Sequence, residues 1–335
     1  FKCIDIDSSF QFTNLLYEVN NNEEYIVAYR KMDRYIQELK AINQKEIKYD
    51  PTPAVRKNGT YLITGGLSDV GLKIAEFLSV NYQVNIIVLG RRSFPLKNRW
   101  SEINRDEKYY NIIKRLINIE INGSYIYYYQ SDIRDQVDLI KIKNIIQQKH
   151  GKINGIFNCA SHSKSERINQ MDFTDFSDSI STKIHGTWLI DNIAQDNMLD
   201  FFVCFSSMFS ITGGIGESAY IVANNYIDAY SQYRNGIAGK TISINWPTWE
   251  STEAYKKREE QSAKVDLFYP ISDDIAMQSL RYCLQTNLTN AAVGKINFNS
   301  NTFKLANYLP FKFSKDILNL NPLNHDHRLM PKNEV

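Results

Sequence analysis

No apolar run in this 335-residue chain approaches the roughly 20 residues that cross a bilayer. The longest, around "NIIVLG" and "FFVCFSSMF", fall far short, so no membrane span is expected. Charge of one sign is equally scarce. Lysine and arginine number 39 against 37 aspartates and glutamates, a formal net charge of +2 with no long basic run, so neither nucleic acid nor an anionic membrane is indicated as the main partner. The opening "FKCIDIDSSF" lacks a basic stretch followed by an apolar core, so no secretory signal is expected there, and its abruptness reads as a piece of a longer chain. The four cysteines, Cys3, Cys159, Cys204 and Cys283, are widely separated and read as reduced, buried residues of a cytoplasmic protein. The sequons at Asn58, Asn122 and Asn287 then carry no weight. His325, Asp326 and His327 have no second pair of ligands nearby, so no metal site is expected. There is no internal repeat.

What is present is an alternation. At 43% hydrophobic and 23% charged residues the composition is that of a globular protein. From about residue 60 to 245, "TYLITGG", "VNIIVLG", "SYIYYYQ", "GIFNCA", "FFVCFSS" and "TISINW" read as six strands, nearly continuous apolar runs of the kind a parallel sheet buries on both faces. Helices are predicted over 69–80, 103–119, 135–149 and 172–196. The order implies a doubly wound α/β sheet of the Rossmann type with right-handed crossovers. Ahead of it, "EEYIVAYR" reads as a strand, "KMDRYIQELKAI" as a charged helical stretch and "YDPTPAVRKNG" as a connector, too little for a core alone. The polar end "NPLNHDHRLMPKNEV" reads as a linker. The expected domains are 1–55, 56–312 and 313–335.

"YLITGGLSDVGLKIAEFL" is strand, glycine turn and helix in immediate succession, the context of a dinucleotide-binding motif. Gly65 and Gly66 allow the turn, Gly71 allows helix to pack on strand, and freed amides at the helix start face a pyrophosphate. Thr64, Leu67, Ser68 and Val70 complete the expected contacts. At the end of the next strand, where an NAD-binding protein presents an acid to the ribose, "VLGRRS" presents Arg91 and Arg92. Two guanidinium groups suit a 2′-phosphate, so NADPH is expected over NADH. Asp132 ends the third strand and is expected to accept from the adenine amine, with Ile133 and Asn158 as further contacts.

Ser207 ends the "FFVCFSS" run, 13 residues before Tyr220, and both are expected at the carboxyl end of the sheet beside the nicotinamide. A carbonyl reduced there needs a proton donor, but a tyrosine with a pKa near 10 is a reluctant acid at neutral pH. A nearby cation lowers that pKa. One helical turn after Tyr220, where many nicotinamide-dependent reductases carry a lysine, stands Asn224. The expected cation is Lys183 in "STKIHGTWLID", reaching in from the neighbouring helix.

Lys183, Ser207, Tyr220 and Asn224, with "TGGLSDVG" before them and "INWPTW" after, resemble the ketoreductase domains of modular polyketide synthases, within the short-chain dehydrogenase/reductase superfamily. The resemblance spans about residues 55–310, its style is similar to synthases whose acyltransferases act in trans, and "CIDID" to "EEYIVAYRKMDRYIQEL" looks like the end of the structural subdomain that precedes such a domain. It implies NADPH-dependent reduction of a β-ketoacyl thioester carried on the phosphopantetheine arm of an acyl carrier protein, among neighbouring synthase domains. Tyr220 would donate the proton, Ser207 bond the carbonyl oxygen, Lys183 lower the tyrosine pKa and touch the ribose, and Asn224 support a proton relay. Residues 250–275 would form a lid over the acyl chain.

Several positions depart from the family pattern. Asp69 and Ser161 stand where glycines are usual, and a carboxylate facing the pyrophosphate would repel it. The Leu-Asp-Asp marker of one alcohol stereochemistry would fall at Ser163, Lys164 and Ser165, the tryptophan of the other at Thr212, and both are absent. The missing aspartates favour the L-hydroxy product. Two rival readings stay open: a silent or epimerising domain kept for architecture or docking, and a free-standing reductase of a small ketone.

Overall fold

Apolar runs separated by amphipathic stretches fold here as strands and covering helices. The structure, a computed structural model, describes residues 2–322 apart from 22, 43, 44, 46, 163, 195–197, 254 and 257–265. In chain order the elements are β1 (Cys3–Asp5), α1 (Phe12–Asn20), β2 (Ile26–Arg30), β3 (Asp33–Ile36), β4 (Glu38–Leu39), β5 (Thr60–Thr64), α2 (Asp69–Asn81) and β6 (Asn85–Gly90). Then come α3 (Tyr110–Ile121), β7 (Tyr125–Gln130), α4 (Gln136–His150), β8 (Gly155–Asn158), α5 (Phe173–Ala194), β9 (Phe201–Ser207), α6 (Phe209–Thr212) and α7 (Ser218–Ile237). β10 (Thr241–Trp246), α8 (Asp273–Leu284), β11 (Asn290–Ala292) and β12 (Lys312–Phe313) follow.

The chain divides into two units. The larger, residues 48–259 and 270–294, holds a seven-stranded parallel sheet in the order β11-β10-β9-β8-β5-β6-β7. β5, β9 and β10 are buried along their whole length, as strands covered on both faces must be. Alternate side chains go to opposite faces. Tyr61, Ile63, Val88 and Val203 meet Leu72, Ile113 and Leu280 on one side; Leu62, Ile87, Phe202 and Cys204 meet Ile142, Leu189 and Ile227 on the other. From β5 the chain builds outward first through β6 and β7, then through β8 on the other side. That reversal opens a crevice at the carboxyl ends of β5 and β8, where doubly wound sheets bind their ligands.

The predicted sheet and its helices are present, with differences. β11 was not foreseen, because three residues, Asn-Ala-Ala, carry no periodic signal. The helix predicted over 103–119 is α3, Tyr110–Ile121, since Asn104 to Glu107 form a turn closed by the Glu107 side chain on the Asn104 amide, 3.1 Å. The helix predicted in "KMDRYIQELKAI" is absent. Lys31 and Met32 take positive φ, 51° and 73°, and turn the chain into a hairpin of β2 with β3. Their amides are held by Asp7 and Ser9, at 2.8 and 2.9 Å, long-range partners that no local pattern announces. Residues 312 and 313 pair with β4, and Lys315–Leu318 form a helical turn beyond the expected end of the catalytic domain. Cys3 is exposed, against expectation; Cys204 and Cys283 are buried. His325, Asp326 and His327 lie outside the described residues. Among the described residues no group of His, Cys, Asp or Glu suits a metal, and no helix is long and apolar enough to cross a membrane.

The smaller unit is organised around Glu18 of α1, whose side chain is fully buried. Lys2 Nζ donates to it at 2.6 Å, Arg34 Nε at 2.5 Å and Tyr29 Oη at 2.7 Å. Burial alone would raise the carboxyl's pKa, but these three donors outweigh it and hold it at about 2, against an ordinary 4.5. A folded-state pKa below the unfolded value gives stability that is present above about pH 4.5 and is lost as pH falls towards 2. Glu18→Gln is expected to cost about 2–3 kcal/mol at pH 7, less than a fully buried pair because Lys2 and Arg34 keep some solvent. Thermal unfolding at pH 7 and at pH 3 checks this: the gap between wild type and variant should narrow in acid.

Candidate active site

The first element of the site is the turn between β5 and α2. Gly65 has φ +66°, and a Cβ on Gly71 would lie 2.5 Å from Gly66 Cα and 2.6 Å from Gly65 O, so helix and turn touch backbone to backbone. Ser68 caps α2, its hydroxyl accepting from Gly71 N at 3.1 Å. Among the described residues the amides of Leu67, Asp69 and Val70 have no acceptor, the condition in which a helix N-terminus takes a pyrophosphate. Asp69 is the first residue of α2, and its Oδ2 accepts from Glu253 N at 3.2 Å. Its charge is therefore engaged by the turn after β10, where Glu253 stands within the expected lid. Residues 254 and 257–265 of that lid lie outside the described residues.

Thr64 and Asn158 end the two strands that flank the crevice, and both are buried. Thr64 Oγ1 donates to Asn158 Oδ1 at 2.7 Å, and Asn158 Nδ2 donates to Thr187 Oγ1 of α5 at 2.7 Å. Thr64 also accepts from the Cys159 and Ala160 amides, both at 3.1 Å. These two side chains thus hold the floor of the crevice together. Arg91 and Arg92 are exposed just after β6, and neither guanidinium has a hydrogen-bonded or ion-pair partner among the described residues. Asp132 pairs with Arg134 at 2.8 Å; that guanidinium holds its carboxyl below the usual range, outweighing burial, with Arg91 a smaller contributor. α4 is capped by Asp135. Ile133 is buried against Gly186 of α5, where a Cβ would come within 2.6 Å of it.

α5 and α7 pack side by side, as the placement of Lys183 requires. Their register is fixed by a buried ion pair, Arg234 Nε to Asp191 Oδ1 at 2.7 Å, joined by Tyr230 Oη to Asp191 Oδ2 at 2.7 Å. Lys183 is buried and its Nζ donates to Phe205 O at 2.6 Å, two residues before Ser207. Burial pushes its pKa below the ordinary lysine value, opposed by Cys204, Cys159 and Asp228. Burial also pushes both thiols up, Cys204 to about 11. Ser207 Oγ accepts from Phe209 N at 3.2 Å, and the Phe209 ring meets Tyr220 edge-on at 6.4 Å. Asn224 is fully buried and donates from Nδ2 to Tyr220 O at 2.8 Å, in the same helix turn. Its Oδ1 is buried without a hydrogen-bond partner, an acceptor open to a water or a ligand hydroxyl.

Four polar residues behind the site were not foreseen. Asp228, one turn beyond Asn224 on α7, accepts from Ser243 Oγ at 2.5 Å, Ser210 Oγ at 2.7 Å and Asn245 Nδ2 at 2.8 Å. Asn245 Nδ2 also approaches Ser206 Oγ at 3.1 Å and Ser207 O at 3.3 Å. The cluster anchors the end of β9 from below. Its one visible sign in the sequence was the spacing of Asp228 from Tyr220 and Asn224, two turns and one turn of a single helix face. Of the stereochemical positions, Lys164 pairs with Asp175 at 2.6 Å, Ser165 Oγ donates to Glu217 Oε1 at 2.9 Å, Thr212 bonds local backbone, and Ser163 lies outside the described residues.

The sequence matches the family described as KR domain over residues 59–251. It is 28% identical over 295 residues to polyketide synthase PksN of Bacillus subtilis (strain 168), covering 86% of this chain and 5% of PksN. Polyketide synthase PksM of the same organism is 31% identical over 255 residues, 73% of this chain and 6% of PksM. The chain thus spans about a twentieth of the length of these relatives. A solved N-terminal ketoreductase from the macrolactin assembly line is similar with a TM-score of 0.68 at 25% identity, over 91% of this chain and 57% of that one. A ketoreductase domain from the bacillaene assembly line gives 0.70 at 24% identity, over 84% and 66%, a likeness of fold.

Proposed function

The chain belongs to the KR domain family, the ketoreductase domains of polyketide synthases, and on that premise we propose that it reduces a β-ketoacyl thioester, borne by an acyl carrier protein, to the β-hydroxyacyl thioester with NADPH. The observation that carries the reading is the buried Lys183 side chain, whose Nζ reaches from α5 to Phe205 O of β9, with Asn224 in the helix turn of Tyr220. When bound, NADPH supplies the hydride. Gly65, Gly66, Gly71 and the open amides of α2 would hold its pyrophosphate, and Arg91 and Arg92 its 2′-phosphate.

In this reading Ser207 hydrogen-bonds the ketone oxygen, and Tyr220 gives its phenolic proton to that oxygen as negative charge develops there. Lys183 favours the phenolate that remains, because an ammonium nearby lowers the tyrosine's pKa. Asn224 Oδ1 accepts from the water that returns a proton. The engagement of Asp69 by Glu253 supports cofactor binding over a silent domain, since it gives the carboxylate a hydrogen-bond donor of its own. The product is the L-hydroxy thioester.

The test is NADPH absorbance with a β-ketobutyryl thioester on a carrier protein, repeated with NADH and followed by chiral analysis of the product. Consumption of NADPH in preference to NADH is expected. Binding of NADPH with no consumption on any β-ketoacyl carrier would instead favour the silent or epimerising reading.

A further inference from the structure

We propose that Tyr128 is a positioning residue for cofactor selectivity: its hydroxyl, reaching from β7 to the end of β6, sets the turn that presents Arg91 and Arg92 to the 2′-phosphate. The proposal rests on the NADPH reading above.

Val88 pairs with Tyr128 and Gly90 with Gln130 across β6 and β7, so the phenol lies beside the end of β6. Gly90 makes room for it, since a Cβ there would fall 3.1 Å from Tyr128 Oη. The hydroxyl lies 2.8 Å from Gly90 O and 2.5 Å from Arg92 O, its single proton shared between the two carbonyls. Gln130 Nε2 donates to Arg91 O between them, at 3.2 Å. Three successive carbonyls are thus fastened to β7. Phe94 packs on the Tyr128 ring at 5.3 Å between centroids, so the chain is held on both sides of the arginine pair. Burial pushes the Tyr128 pKa up to about 12, which keeps it a neutral donor.

The two guanidinium groups are exposed and without side-chain partners among the described residues, while Asp132, the carboxylate that feels Arg91, is already held by Arg134. Exposed arginines gripping a phosphate must give up backbone and rotamer freedom, and a turn fixed beforehand leaves less to lose. That gain applies to a ligand carrying a 2′-phosphate and not to one lacking it.

The experiment measures dissociation constants for NADPH and NADH by calorimetry on the full chain, for wild type, Tyr128→Phe, Gln130→Ala and Arg92→Ala. Tyr128→Phe keeps the ring packing and removes the donor. It is expected to weaken NADPH about five- to tenfold with NADH unchanged, as loss of one half-buried donor implies. Gln130→Ala should act in the same direction and less. Equal weakening of both cofactors, or none, in Tyr128→Phe would overturn the proposal. If wild type binds NADH as tightly as NADPH, the 2′-phosphate reading itself fails. If Arg92→Ala abolishes the preference and Tyr128→Phe leaves it intact, that reading survives and the role of Tyr128 does not.

Discussion

Tyr220→Phe is expected to lower kcat for β-ketoacyl thioester reduction by about 10²- to 10⁴-fold, the usual contribution of a positioned general acid, while NADPH binding is retained. The asymmetry follows from where the hydroxyl acts. Removing one oxygen leaves the ring against Phe209 and the backbone carbonyl that accepts from Asn224, so the fold and the cofactor turn are untouched. What is lost is the proton for the alkoxide, and hydride transfer without it produces an unstable anion. A drop confined to kcat/KM through KM, with kcat preserved, would place Tyr220 in substrate binding and leave the acid unidentified.

Lys183→Met is expected to reduce kcat by about 10²-fold, because the phenol loses the cation that makes it a usable acid. Its pH dependence distinguishes a chemical from a structural role. In the folded protein burial places the Lys183 pKa below 10.5, so wild-type activity should fall as pH rises through that lowered value and the cation is lost. Stability has the opposite sign. The unfolded chain binds the proton more tightly, so between the folded and unfolded values stability rises with pH. The contribution of Lys183 to stability therefore rises where activity declines, while the buried thiols, with Cys204 at about 11 against an ordinary 9, contribute in the opposite direction above pH 9, so the melting temperature must be followed alongside the rate. Lys183→Arg, which keeps its charge at all these pH values, should flatten the alkaline limb. Rate and melting temperature measured together from about pH 7 to 10.5 check both. Full activity in the methionine variant, or an unchanged limb in the arginine variant, would remove Lys183 from the chemistry.

Much of this arrangement was legible because it is local. β5, the Gly65–Gly66 turn and α2 are contiguous, and the predicted helix over 69–80 is found at Asp69–Asn81. The packing of the helix that carries Lys183 was traceable by topology: two helices flanking one strand of a doubly wound sheet lie together, and α5 and α7 do. Illegible features depend on pairing across distance. The β2–β3 hairpin is held by Asp7 and Ser9 from outside it, and nothing in "RKMD" resembles a glycine-bearing turn. The Asp228 cluster joins α6, α7 and β10 through hydroxyls and an amide that look like ordinary polar residues in their own segments. Tyr128 stands among several tyrosines in "SYIYYYQ". Only the register with Val88 singles it out, by aligning it with the strand end that carries the arginines.

The most direct test of the account follows the hydride itself. NADPH carrying deuterium at the transferable position would be incubated with a β-ketoacyl carrier protein and wild-type chain, and the acyl group read by mass spectrometry. The expected product is a β-hydroxyacyl group with one deuterium on the β carbon, formed by wild type and formed about 10²- to 10⁴-fold more slowly by Tyr220→Phe. Tight binding of NADPH with no label on any β-ketoacyl group would contradict it, and would leave a nucleotide-binding domain that does no net reduction.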